Sequence, residues 1–382
     1  MELNQDILDY LEQSFGKTME LLETICKIPA PSNQEEKRAA FCKEWLDNIG
    51  AKGVYIDEAL NVVYPYGCDD GKDIIVFMAH TDTVFPDMTE PMPYSTDGKY
   101  VYSPGVGDDT ICLVMMLMVA KYVTQKGLQS PYGILFVADS GEEGLGNLKG
   151  VKQIMTDYAG RIERVYTFDG TYDHMYTRCV GSHRYKLTVE TKGGHSFGDF
   201  GNRNAICAAA ELICALNQCR VPVDGSSKTT FNVGVIQGGT SVNTIAQNAS
   251  FLYEYRSDSY KCLEKMKTFF EACVEKAKED PETDITVDVI GIRPCGAEVD
   301  ENVFSKMVAN AKGICEKHTG IPCRLDSGST DANIPMSLGV PAICVGTYMG
   351  GGAHTREEYL EIDSVPVGLK ITAEIILQYL GA

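Results

Sequence analysis

The chain has 382 residues, long enough for a large core and for two domains, and its 44% hydrophobic and 23% charged residues are ordinary for a globular protein. Its formal net charge of −19, from 34 basic and 53 acidic residues, sets the surface against phosphate backbones and anionic membranes. With no Lys or Arg run to offset this, nucleic acid and membrane are excluded as partners.

In chain order, the opening "MELNQDILDYLEQSFG" is acidic and amphipathic, unlike a signal peptide. Ile7, Leu8, Leu11, Met19, Leu22 and Ile25 predict a helix over 5–28. Ser32, with Glu35 three residues on, reads as the N-cap of a second helix that Gly50 ends. "GVYIDEALNVVYPY" and "DIIVFMA" predict strands. "DDTICLVMMLMVAKYVTQKG" predicts a strongly apolar helix stopped by Gly127. "YGILFVA" and "VYTFDG" predict two more buried strands. Strands alternating with helices imply a mostly parallel sheet covered on both faces.

The pattern changes after residue 180. "RYKLTVETKG" alternates like a half-exposed strand. A helix follows at "NAICAAAELICALN", then strands at "TTFNVGVIQGG" and "ASFLYEYRSD", a helix at "YKCLEKMKTFFEACVEKAKED" and a strand at "DITVDVIG". This β-α-β-β-α-β order is that of a ferredoxin-like sandwich. The expected fold is therefore α/β: a mostly parallel sheet flanked by helices over 1–179 and 293–382, with an α+β ferredoxin-like domain inserted at 180–292. No apolar run is long enough to span a membrane. Fourteen cysteines are scattered with no C-x-x-C pair. Cys112, Cys207, Cys214 and Cys344 lie in apolar patterns, so free thiols serving as small core residues, and a reducing cytoplasm, are expected.

Polar residues interrupt the apolar pattern at a few places. "MAHTDTVFP" ends a hydrophobic strand in His80-x-Asp82. Residues i and i+2 of a strand share a face, so an imidazole there can bind a metal with a carboxylate at its other ring nitrogen. A strand that leaves the core and turns polar reads the same way. "SPGVGDDTICL" puts Asp108 and Asp109 at a helix start, where either can be an N-cap. "ADSGEEGLGN" puts Glu142 and Glu143 beyond a strand, where they can face a helix dipole. "VYTFDGT" puts Asp169 at a strand end or turn, and "GGGAHT" puts His354 in a sharp loop. Together, His80, Asp108, Glu142, Glu143, Asp169 and His354 make the inventory of a two-metal site with a free carboxylate as base. "GLGNLKG" lacks the G-x-G-x-x-G spacing of a dinucleotide turn, and no P-loop or G-x-S-x-G elbow is present.

The motifs "HTD", "GVGDD", "SGEEGLGN", "FDG", "GGHS" and "GGAHT", in this order over nearly the whole chain, resemble the co-catalytic zinc exopeptidases and deacylases. That family includes carboxypeptidase G, acetylornithine deacetylase, succinyl-diaminopimelate desuccinylase and peptidase T, and the style here is closest to the peptidase T-like branch. The resemblance implies that Asp108 bridges two divalent metal ions, zinc or alternatively manganese or cobalt. His80 and Asp169 complete one site, and Glu143 and His354 the other. Asp82 partners His80, and Glu142 is the general base. The Asp108–Asp109 bond is often cis in this family. His195 implies an oxyanion donor supplied by a partner subunit, hence a homodimer through the inserted lid. Asn243 and Arg256 match positions that hold substrate, although Arg256 also suits a salt bridge at a strand end. Ser329 and Thr330 lie in a loop expected near the cleft. Thr110 stands where the family often has lysine, and Ala246 where many members have proline. The implied activity is hydrolysis of amide bonds in small peptides. N-acyl amino acid deacylation is the alternative, and a catalytically silent metal-binding protein of the same fold is a third reading.

Overall fold

The computed structural model describes residues 3–69, 71–87 and 89–381. It forms two compact units, Met1–Cys179 with Ala297–Ala382, and Val180–Gly296.

The first unit is built on an eight-stranded sheet. Its order is Tyr55–Ile56, Val62–Tyr66, Gly133–Asp139, Ile74–His80, Ile162–Phe168, Ala342–Val345, His174–Cys179 and Arg324–Gly328. The strand Ile74–His80 runs parallel to both of its neighbours, and Ile162–Phe168 runs parallel to Ala342–Val345. Ile74–His80 and Gly133–Asp139 are buried along their whole length, which is why they read as unbroken apolar runs. One face of the sheet, with Ile75, Phe77, Phe136 and Tyr166, shares a core with Leu22 of the helix Gln5–Cys26, Val119 of Cys112–Lys126 and Leu369 of Val365–Leu377. The other, with Val76, Met78, Leu135 and Val137, packs with Val151 and Ile154 of Lys149–Asp157 and with Ile334 and Met336.

Phe77 sits at the middle of an aromatic layer, stacked on Tyr166 at 5.5 Å, Phe136 at 6.1 Å and Phe168 at 6.2 Å. It is fully buried. Phe77→Ala is expected to cost about 3–5 kcal/mol in denaturant unfolding, because the sheet on which the stack rests cannot collapse into the void.

Asn4 caps the first helix by accepting the Ile7 N–H, and Gly127 ends the apolar helix at φ 60°. The second helix, Glu36–Asn48, corrects the expected capping box: Ser32 does not cap it. The Ser32 hydroxyl instead donates to Asp82 Oδ2 at 2.6 Å, and Glu35 accepts from the Asn33 N–H and from Lys149. A charged acceptor makes the stronger bond, so the hydroxyl turns to it.

The second unit is a four-stranded antiparallel sheet in the order Thr229–Gly238, Asn248–Ser257, Gly181–Thr191, Thr283–Arg293. Ala249, Phe251, Tyr253 and Tyr255 alternate inward and pack with Leu212 and Leu216 of the helix Ala205–Asn217 and with Met266 and Phe270 of Tyr260–Lys278. Asn204 and Ser259 cap these two helices. The connectivity and sheet order are those of a ferredoxin-like sandwich. No disulfide forms among the described residues, and Cys112 and Cys344 are buried. Cys207 and Cys214 are exposed, against the core position expected for them. The buried stripe of their helix runs through Ala205, Ala208, Ala209, Leu212 and Leu216, and two residues seven apart fall together on the opposite side. No helix among the described residues is long and apolar enough to cross a membrane.

Candidate active site

The first unit gathers its polar side chains at the carboxyl ends of parallel strands, where open α/β sheets leave a crevice. His80 is the last residue of its strand, and Asp169 directly follows Ile162–Phe168. Glu142 and Glu143 follow Gly133–Asp139. Asp108 lies in the tight turn Val106–Ile111, ahead of the apolar helix, and its bond to Asp109 is cis. His354 follows the run of glycines, at φ 63°, in a loop that leads into the strand Tyr359–Glu361.

These elements bring six predicted residues together. His80 Nε2 lies 3.0 Å from Asp108 Oδ1, and His354 Nε2 lies 3.1 Å from Asp108 Oδ2 and 3.0 Å from Glu143 Oε1. Each Asp108 oxygen therefore faces a different imidazole. Donor atoms of His80, Asp108 and Asp169 all lie within 4.8 Å of one another, and so do those of Asp108, Glu143 and His354. The two sets share Asp108. A third grouping joins His80, Glu142 and Glu143.

Their electrostatics reflect crowding of like charge. Burial, then the neighbouring Asp108, pushes the Asp169 carboxyl well above the usual carboxylate range. Hydrogen bonds that its ring donates to Asp108 and Glu143 push His354 up to about 11. Burial opposes the charge on His80, but its bonds to Asp108 and Asp82 outweigh this and raise it. Asp108 is likewise penalised by burial, yet its bonds to His354 and His80 hold it below the ordinary range. Without an ion, protons on the imidazoles balance the carboxylates. A donor set of imidazoles and carboxylates with no thiolate suits zinc, manganese or cobalt. The two overlapping sets fit two divalent cations.

A model of peptidase family M20/M25/M40 matches residues 76–378. The chain belongs to that family. It is a hydrolase of amide bonds. It is 25% identical to carboxypeptidase G2 of Pseudomonas sp. over 94% of this chain and 88% of that one. It is 23% identical to acetylornithine deacetylase of Myxococcus xanthus over 89% and 87% of the two chains. The crystal structure of a tripeptidase from Staphylococcus aureus superposes with a TM-score of 0.75 at 22% identity, covering 95% of this chain and 97% of that one.

Within this M20 chain, Asp82 faces both His80 and the two glutamates. His80 Nδ1 meets the backbone oxygen of Asp82 at 3.0 Å, with the carboxylate farther away at 3.5 Å. The carboxylate is occupied by Ser32 Oγ and by the backbone N–H groups of Glu142 (3.0 Å) and Glu143 (3.1 Å). Asp82 thus orients the two glutamates as much as the histidine.

Spacing alone did not single out several other buried groups. Asp109 Oδ2 accepts the His80 N–H at 2.9 Å. Arg38, also buried, donates to the carbonyls of Ile28 and Thr81 and to Thr110 Oγ1. Glu358 accepts three N–H groups of the Asp108 turn. Burial pushes the Asp139 carboxyl up to about 8. These contacts join residues far apart in the chain, and only the adjacency of Asp108 and Asp109 left a trace in the sequence. Thr330, expected near the cleft, is buried, and its Oγ1 accepts the Ala332 N–H. Ser329 is half-buried.

His195, Asn243 and Arg256 belong to the second unit. His195 and Asn243 share a short ribbon in which Gly194–His195 pairs with Thr244–Ile245 and the Ser196 N–H reaches the Asn243 carbonyl at 3.0 Å. Both residues are exposed. His195 Nδ1 accepts the N–H groups of Phe197 and Gly198, so the neutral ring carries its proton on Nε2 and is a donor there. Arg256 is half-buried, and its Nε finds no acceptor among the described residues. The neighbouring Glu254 pairs with Arg184 at 3.2 Å, and no salt bridge to Arg256 forms among the described residues.

Proposed function

We propose that this chain is a two-metal exopeptidase acting on small peptides, of the di- and tripeptidase kind. The observation that carries the reading is Asp108, whose two oxygens each face one histidine and which belongs to both donor sets. His80, Asp108 and Asp169 are assigned to one cation, and Asp108, Glu143 and His354 to the other, zinc being the first choice and manganese or cobalt the alternatives. Cations held there would supply Lewis-acid polarisation of the scissile carbonyl and would lower the pKa of a bound water. Glu142 takes the proton of that water and returns it to the departing amine. His195 Nε2–H donates to the developing oxyanion. Asn243 holds the substrate backbone, and the Arg256 guanidinium takes a substrate carboxylate. The first unit is the catalytic domain and the second the lid, with residues 180–292 as its core.

The second reading is N-acyl amino acid deacylation. It uses the same side chains, and its support is the likeness to acetylornithine deacetylase. Metal-stripped protein should be assayed against di- and tripeptides and N-acetyl amino acids, before and after addition of zinc, manganese or cobalt. Metal-dependent release of amine from peptides supports the first reading, and release from N-acetyl amino acids alone supports the second. Stoichiometric metal with no turnover on either panel favours a silent member of the family.

We assign the lid to homodimerisation. Its edge strand Thr229–Gly238 leaves Val235 and Ile236 exposed, and the ribbon around His195 carries Phe197 at 90%, Phe200 at 89% and a fully exposed Val242. Such a surface calls for a partner. If His195 serves the partner's metals, His195→Ala should lose ~10²–10³ in kcat while keeping its metal content. Mixing it with Glu142→Gln, unmixed variants being inert, should restore activity, because one hybrid site regains both groups. A full-rate monomer, or a mixture as inert as its parts, overturns the assignment. The absence of disulfides among the described residues supports a cytoplasmic location.

A further inference from the structure

We infer that Glu358 is a positioning residue that locks the Asp108 turn to the His354 segment and thereby sets the affinity of both metal sites. Glu358 is 1% exposed. Its Oε2 accepts the Gly105 N–H at 2.7 Å, and its Oε1 accepts those of Gly107 and Asp108, both at 2.8 Å. Three donors of one turn converge on a side chain some 250 residues away in sequence.

Beyond these, the turn is held by the Val106 N–H on the Ser103 carbonyl (3.1 Å) and the Thr110 N–H on the Gly105 carbonyl (3.2 Å), neither of which orients the N–H groups of Gly107 and Asp108. Gly105 sits at φ 75°, where a Cβ would fall 2.6 Å from Thr83 Cγ2, and a Cβ at Gly107 would fall 2.5 Å from Tyr348 Oη. At these two glycines the backbone packs directly against its neighbours, so its path there depends on what surrounds it. Glu358 has no cationic partner among the described residues, and the Asp108 carboxylate lies nearby. A second buried acid beside an acidic cluster adds repulsion, which makes it a poor choice for stability alone. It does suit a turn whose N–H groups must all point one way.

Glu358 follows His354 by four residues. The loop that brings His354 to Asp108 Oδ2 therefore also grips the turn behind Asp108. Loosening that grip moves the one ligand that both donor sets share, and groups that orient metal ligands typically change affinity by ~10–100-fold when removed. This inference rests on Asp108 bridging two cations.

The test compares wild type, Glu358→Gln and Glu358→Met. Gln keeps an acceptor for part of the turn but sets an NH₂ against an N–H, whereas Met removes every acceptor. Zinc is titrated into metal-stripped protein against a chelator of known affinity, with far-UV circular dichroism reporting the fold. Affinity should fall in the order wild type, Gln, Met, with the Met variant at least ~10-fold weaker. With metal in excess, kcat should fall while KM for peptide holds. A Met variant that is folded and binds two zinc ions with wild-type affinity overturns the inference, even if its unfolding midpoint is lower. Should Met not fold, a wild-type isotherm for Gln overturns it equally. The wild-type titration separates the two claims: fewer than two zinc ions per wild-type chain defeats the bridging assignment itself, whatever the variants do.

Discussion

Glu142→Gln is expected to keep wild-type metal content and to lose ~10²–10⁴ in kcat, the usual contribution of a positioned acid–base group. Glu142 is almost fully buried, and its N–H is fixed by Asp82 Oδ1 at 3.0 Å. It groups with His80 and Glu143 but stands outside both sets that contain Asp108. A carboxylate beside the donors, yet not needed to complete either set, is placed to take a proton rather than to hold a cation. The amide of Gln fills the same space and hydrogen-bonds, but it cannot accept the water's proton or return it to the amine. Glu143→Gln provides the contrast, since Glu143 meets His354 at 3.0 Å and completes the second set. That variant should lose metal as well as rate. Initial rates at saturating peptide, with elemental analysis of the same samples, separate the two. Wild-type turnover in Glu142→Gln ends its assignment as base, and lost metal in that variant makes it a ligand instead.

The candidate site was legible wherever chemistry interrupts an apolar pattern. His80 and Asp169 close buried strands, Asp108 precedes a strongly apolar helix, and Glu142 and Glu143 follow a strand buried along its length. At such positions a polar residue cannot be explained by burial, so it stands out. The alternation after residue 180 exposed the second sheet in the same way, since one face packs on helices and the other does not. What stayed hidden were partnerships. Ser32 and Glu35 have capping-box spacing, and only the folded chain shows a buried carboxylate 50 residues on that claims the hydroxyl. Asp82 looked like the partner of His80 alone, yet it also gathers the N–H groups of Glu142 and Glu143. Arg38 and Glu358 look like ordinary surface charges of a helix and a loop until long-range packing buries them. Apolar composition misled at Cys207 and Cys214, because helical phase, not hydrophobicity, decides which side of a helix is covered.

Zinc is expected to raise the unfolding midpoint of the metal-stripped protein, and to raise it more at pH 8 than at pH 5.5. The reason lies in the protons that the cluster holds. Asp169 is pushed well above the ordinary carboxylate value, so the fold keeps a proton that the unfolded chain releases above ~4. His354, pushed up to about 11, and His80, also raised, keep protons that the unfolded chain releases above ~6.5. In each case the unfolded state binds fewer protons through the window, so the stability of the metal-stripped fold declines as pH rises from ~4 upward. The depressed Asp108 acts in the other direction only below ~4. A cation needs carboxylates and neutral imidazoles, so binding expels these protons and strengthens with pH. At a hundredfold excess over its dissociation constant, each cation adds ~2.7 kcal/mol to stability. Thermal unfolding with and without zinc at the two pH values reads the effect directly. Asp169→Asn sharpens it: without the buried acid, the metal-stripped variant should lose less stability between pH 5.5 and 8 than wild type, and zinc should stabilise it less. A zinc effect of equal size at both pH values, or an Asp169→Asn variant that zinc stabilises like wild type, would mean that the cluster does not trade its protons for metal.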